Sequence, residues 1–115
     1  MLLNSQRSPD DPKTFELATK ARETYPDDPE IAKALGILNY RRGTFTQAVE
    51  LLKEAGAKRK DDPEILYYLG LAYRQLKQSN DCKAALERAL NLNLSPSLAD
   101  QAKRALSQCA EAAPT

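Results

Sequence analysis

Apolar residues recur at three- and four-residue intervals through most of the chain, the spacing of helices with one buried face. From Pro29, the residues Ile31, Ala34, Leu35 and Leu38 follow it, and from Pro63 so do Leu66, Leu69, Ala72, Tyr73 and Leu76. Asp28 and Asp62 stand directly before those prolines. That order predicts an N-cap carboxylate followed by proline at the first helical position. Gly43 ends the first of these helices after Arg41 and Arg42, whose charges suit a helix C-terminus. A second helix is predicted to start near Thr44, with Gln47 completing a capping box. It turns Phe45, Ala48, Val49, Leu51, Leu52 and Ala55 inward, and Gly56 inside it costs about 1 kcal/mol relative to alanine. A matching helix is predicted over 79–93, with Cys82, Ala85, Leu86, Ala89 and Leu90 inward.

These elements repeat. Pro29-Glu30-Ile31 returns 34 residues later as Pro63-Glu64-Ile65, Leu35-Gly36 as Leu69-Gly70, Leu52 as Leu86, and Ala55 as Ala89. A fixed period of this length marks stacked supersecondary units. A third Asp-Asp-Pro at Asp10, Asp11 and Pro12 falls half a period early. There Phe15, Ala18 and Ala21 take the places of Val49, Leu52 and Ala55, so the segment matches a second helix without its front helix. Beyond Pro96, Leu98, Ala102, Ala105, Leu106 and Cys109 form one stripe among polar residues, and Lys103-Arg104 replace the Leu-Gly pair. A helix apolar on one side closes a stack against water. The predicted organisation is a flexible N-terminus over 1–11, a half repeat over 12–28, full repeats over 29–62 and 63–96, a capping helix over 97–112, and a tail over 113–115.

Composition narrows the function by exclusion. The chain has 115 residues, enough for one small domain, and its formal net charge of +1 gives no basic footprint for nucleic acid. No apolar run approaches the ~18 residues of a membrane span, so no direct membrane insertion is expected. Met1-Leu2-Leu3 is too short for a signal peptide's apolar core, which favours a cytoplasmic home over a secreted one. Histidine is absent, which removes Ser/His and Cys/His nucleophilic pairs and histidine metal sites. The glycines are scattered singly, and the Asp pairs sit at helix starts where capping explains them. No catalytic, cofactor-binding or metal-binding group is predicted. Cys82 and Cys109 both lie on apolar stripes, so buried thiols are expected; their even number leaves a disulfide open. Arg41-Arg42 and Lys58-Arg59-Lys60 end helices and read as solvated last turns.

The period, Leu35-Gly36 and Leu69-Gly70, the small residues Ala48/Cys82 and Ala55/Ala89, Gly43 and Phe45 at the turn, Tyr73, and Pro26 together resemble the tetratricopeptide repeat family. The resemblance is closest over 29–96. It implies an all-α fold: a right-handed α-α superhelix, or solenoid, of antiparallel helix pairs with a C-terminal capping helix. Asn39 stands where an aromatic is usual; Lys77 replaces the turn glycine and Ser79 the aromatic seen as Phe45. These departures are expected to loosen the second turn. Pentatricopeptide arrays are similar but run on a period one residue longer.

The resemblance further implies a concave groove lined by the first helix of each pair. It carries Glu30, Lys33, Ala34, Ile37, Tyr40 and Arg41 from one repeat and Glu64, Tyr67, Tyr68, Leu71, Arg74 and Gln75 from the next. Tyrosine and arginine are frequent binding hot spots. Tyr67 and Tyr68 are adjacent on a helix, so one of them is expected to be exposed. Lys33 matches a lysine of the family's carboxylate clamp, but Ile37 and Tyr68 occupy places where asparagines belong. The implied function is therefore a non-catalytic protein-interaction module, a scaffold or adaptor and a fragment of a larger repeat protein. It would bind a partner's peptide or helix with apolar and acidic side chains. The alternative is an oligomerisation domain, a homodimer through the open N-terminal half repeat.

Overall fold

The computed structural model describes residues 12–112, and the side chains of 13–109. The segments expected to form a flexible N-terminus and a tail, 1–11 and 113–115, lie outside the described residues. Within them the order is α1 (Pro12–Thr24), α2 (Pro29–Arg42), α3 (Phe45–Lys58), α4 (Pro63–Gln75), α5 (Ser79–Asn91) and α6 (Pro96–Ala112), with no strand.

The aspartate caps form as the prolines demand. Asp28 Oδ1 accepts the Glu30 amide at 2.9 Å, and Asp62 Oδ1 accepts those of Glu64 and Ile65 at 2.9 and 3.3 Å. The capping box at α3 does not form: Thr44 makes no side-chain cap bond. Its hydroxyl donates instead to Asn39 Oδ1 at 2.6 Å, while Asn39 Nδ2 donates to the Leu35 carbonyl at 2.9 Å. Asn39 is only 4% exposed, and an unmet buried amide would cost about 1–3 kcal/mol. The buried asparagine therefore takes the hydroxyl that the helix end would otherwise use.

The second turn is not loosened. Gly43 closes α2 with φ 88°, and Lys77 adopts the same left-handed conformation at φ 62°. Thr44 N–H donates to Asn39 O at 2.9 Å, and Gln78 N–H donates to Tyr73 O at 3.0 Å. The hydrogen bonds of the turn thus hold a lysine where glycine would be unstrained. Helix α5 stops at Asn91 rather than Asn93, because Asn93 itself turns left-handed at φ 64°.

Each hairpin closes through a glycine. A Cβ at Gly36 would stand 2.6 Å from Leu52 Cγ, and one at Gly70 would stand 2.6 Å from Leu86 Cγ. Leu52 and Leu86 are fully buried, each contributing about 1.5–3 kcal/mol. The buried residues of α2 are Ala32, Leu35, Gly36, Leu38 and Asn39. Ala34, placed in the apolar stripe by its spacing and on the groove by the resemblance, is exposed; the polar Asn39 at the end of the true stripe hid its register. Helix α4 is buried on two sides. Ile65, Leu69 and Ala72 join the cluster with Ala48, Leu52 and Ala55, while Tyr67 and Leu71 join the cluster with Leu86, Ala102 and Ala105.

Helix α4 touches both α2 and α6, whereas α3 and α5 do not approach each other. The first helices of the pairs therefore lie on the inside of the curve. This is an all-α helical-repeat solenoid.

Cys82 and Cys109 are joined by a disulfide, with Cα atoms 6.1 Å apart, which corrects the expectation of separate thiols. Helices α5 and α6 are neighbours that fold back across the 92–95 turn. Cys82 precedes Ser95 by as many residues as Cys109 follows Pro96. Positions symmetric about a hairpin turn face one another, so their separation in sequence concealed their pairing.

Among the described residues, none of helix α1 belongs to either buried cluster. Arg22 grips Glu54 in a two-pronged bond of 2.6 and 2.7 Å. The Arg42 guanidinium lies 4.1 Å from the Phe15 ring centre, and Lys58 donates to the Asp27 carbonyl at 2.6 Å. Leu17 and Tyr25 are each 61% exposed.

Candidate functional site: the concave face

The inner face divides into two halves of different chemistry. At the N-terminal ends of α2 and α4 the charges neutralise one another. Lys33 pairs with Asp62 at 2.9 Å and Glu64 at 2.7 Å, and Glu30 with Arg59 at 2.6 Å. Burial pulls the Lys33 pKa down, but the hydrogen bonds it donates to Glu64 and Asp62 outweigh it and hold the ammonium above its ordinary value. Burial pushes Asp62 up, while Lys33 and the two capped amides bring it below the usual carboxylate range. Asp62 thus caps α4 and ties it to α2 with one carboxylate.

The other half is aromatic and cationic. Tyr40 stands 5.9 Å from Tyr68 and 5.7 Å from Phe45, ring centre to ring centre, and Tyr67 stands 5.0 Å from Tyr68. Arg41 reaches from α2 to donate to the Tyr68 hydroxyl at 3.4 Å. Of the adjacent tyrosines, Tyr68 is half-buried, whereas Tyr67 is 3% exposed and packs beneath α6. Its hydroxyl donates to Gln101 Oε1 at 2.8 Å, and burial raises its pKa. Arg74 donates to Gln108 Oε1.

A hollow of about 210 Å³ opens here, lined by Tyr40, Tyr67, Leu71, Arg74, Gln101, Arg104, Ala105 and Gln108. The structure therefore brings together Tyr40, Tyr67, Leu71 and Arg74, flanked by Arg41 and Tyr68. Glu30, Lys33 and Glu64 belong to the neutralised half. Ile37 is half-buried against the α2–α4 cluster, and Gln75 is exposed outside the hollow. Leu71, only 7% exposed, forms floor rather than rim.

Sequence reasoning overlooked the α6 wall: Gln101, Arg104, Ala105 and Gln108. The signal was present, since Gln101 and Gln108 follow their partners Tyr67 and Arg74 by one repeat period of 34 residues. The loss of the Leu-Gly pair in α6 hid that its inner face keeps the register.

Two larger hollows, each about 440 Å³, lie elsewhere. One mixes Glu50 and Asp81 with Lys53. The other opens beside Gly56 over Ile65 and Leu66, beneath Lys53, Arg59, Lys60 and Arg88. The gap between the splayed α3 and α5 accounts for this second hollow. Among the described residues, no group of three or more carboxylate, cysteine or histidine side chains could hold a metal. No helix there is long and apolar enough to cross a membrane.

The family model for the tetratricopeptide repeat matches residues 39–106, more than half of the chain. The TPR repeat-containing protein PA4667 of Pseudomonas aeruginosa is 40% identical over 55 residues, which cover 48% of this chain. The match spans 9% of that protein's length.

Proposed function

Because the chain belongs to the tetratricopeptide repeat family, whose repeats generally mediate protein–protein interaction without catalysis, we propose that it binds a partner's peptide or helix on its concave face. The hollow shared by α2, α4 and α6 carries this reading: it joins tyrosine and arginine side chains over an apolar floor, the residue types that dominate interfaces. The repeat division 29–62 and 63–96, with α6 as cap, makes the groove a product of stacking. No single hairpin contains it. A scaffold or adaptor role follows from the same reading.

Affinity capture from cell lysate tests it. Gln108→Trp fills the hollow from an exposed position, and Lys83→Trp on the exposed side of α5 is the control. The expected result is partner loss with Gln108→Trp alone; equal retention by both would sink the groove assignment. Exposed Leu17 and Tyr25 favour self-association through α1 and the turn after it as a second reading. Light scattering on a dilution series checks it, since a domain sealed through that face stays dimeric at micromolar concentration.

A further inference from the structure

We propose that the hollow between α4 and α6 recognises an acidic side chain of the partner segment, its carboxylate lodged between Arg74 and Arg104 beside an apolar neighbour. The inference rests on the groove reading above and specifies what the groove selects. Among the described residues Arg22, Lys33, Lys58 and Arg59 are each paired with a carboxylate within 4 Å. Arg74 and Arg104 are not, although Asp100 stands one helical turn before Arg104. The helix dipole accounts for Arg74 in the last turn of α4. It does not account for Arg104, which sits in the middle of α6.

The glutamines point the same way. Arginine has only donors to offer, so Gln108 must turn its oxygen to Arg74 and present its amide N–H groups elsewhere. Gln101 spends its oxygen on the Tyr67 hydroxyl and likewise has its N–H groups left to give. Two guanidinium groups and two amides thus converge on a hollow whose lining contains no carboxylate. A site made of donors calls for an acceptor-only ligand, and charge-assisted bonds favour an anion. The floor of Tyr40, Tyr67, Leu71 and Ala105 suits an apolar side chain next to it. A net charge of +1 provides no field for a polyanion, so an acidic protein segment fits better than nucleic acid.

Selection from a displayed random-peptide library against the full chain tests this. The recovered peptides should be enriched in Asp or Glu next to an apolar residue. Arg74→Gln/Arg104→Gln should weaken them about tenfold, as expected for two partly exposed ion pairs, and added salt should do the same. Replacing the peptide's acid by its amide should remove the difference between the two proteins. Ligands that are lost with Gln108→Trp but carry no acid, or ignore both arginines, would overturn the proposal and leave the groove reading standing. Ligands indifferent to Gln108→Trp, or a selection that yields none, would overturn both.

Discussion

Reducing the Cys82–Cys109 disulfide should lower stability sharply without changing what is packed. Both sulfurs sit at 0% and 1% exposed residues, so the reduced thiols keep the same volume in the same cluster. What is lost is the constraint on the unfolded chain. For a separation of 27 residues, the denatured state regains about 12 cal/mol/K, or about 3.5 kcal/mol at 25 °C. In a domain of this size each kcal/mol moves the melting midpoint by about 4 °C, giving a fall of roughly 14 °C. Because neighbour interfaces hold a solenoid together, the reduced protein should release α6 first and show an early, separate transition. The assay is thermal unfolding by circular dichroism, after equilibration in an oxidising glutathione buffer and then with excess phosphine reductant. Thiol titration in denaturant establishes the starting state. Two free thiols in the oxidised sample, or equal midpoints with and without reductant, would refute the reasoning.

Gly70, which closes a hairpin, and Gly56, inside α3, should respond to alanine in opposite directions, measured by urea unfolding. Gly70→Ala forces a methyl to 2.6 Å from Leu86 Cγ; overpacking by about 1–3 kcal/mol exceeds the helix-propensity gain of about 1. Gly56→Ala meets only Ile65 Cγ2 at 3.4 Å and should stabilise by up to about 1 kcal/mol. Lys77→Gly relieves a left-handed lysine and should stabilise by about 1 kcal/mol; a loss would mean that the lysine stem packs productively. The pH dependence should have two arms. Asp62 and Glu54 are held below ordinary carboxylate values, so their contribution is present above about pH 4 and lost as pH falls through the folded values. Lys33, Tyr67 and Tyr73 are raised, so theirs is full below about pH 10 and lost as pH rises through the folded values. An Asp62→Asn/Glu54→Gln variant should flatten the acid arm of urea midpoint against pH; an unchanged arm contradicts the assignment.

The period and the proline caps made the helix order legible because both are local signals. The register of α2 was less so: Asn39 occupies a core position, and a polar residue there broke the apolar stripe that would have shown Ala32 inward and Ala34 outward. The fate of Thr44 followed from the same residue, since its hydroxyl serves Asn39 rather than the α3 end. Lys77 was misread for another reason. The turn's backbone bonds impose the left-handed conformation whatever the side chain. The disulfide and the α6 wall depend on how neighbouring helices fold back, which residue spacing alone does not display. Tyr67 is buried because α4, unlike α2, is covered on two sides, so it reaches the hollow as floor.

The claim that the concave face is the interaction surface is tested most directly by mapping a bound ligand on the folded chain. Amide and side-chain NMR shifts would be followed while a peptide selected from the displayed library is titrated into the oxidised protein. The account predicts changes clustered at Tyr40, Tyr68, Arg74, Gln101, Arg104 and Gln108, with α3 and α5 outer-face residues such as Lys53 and Lys83 unmoved. Changes centred on α3 and α5, or on Leu17 of α1 and the adjoining Tyr25, would contradict it.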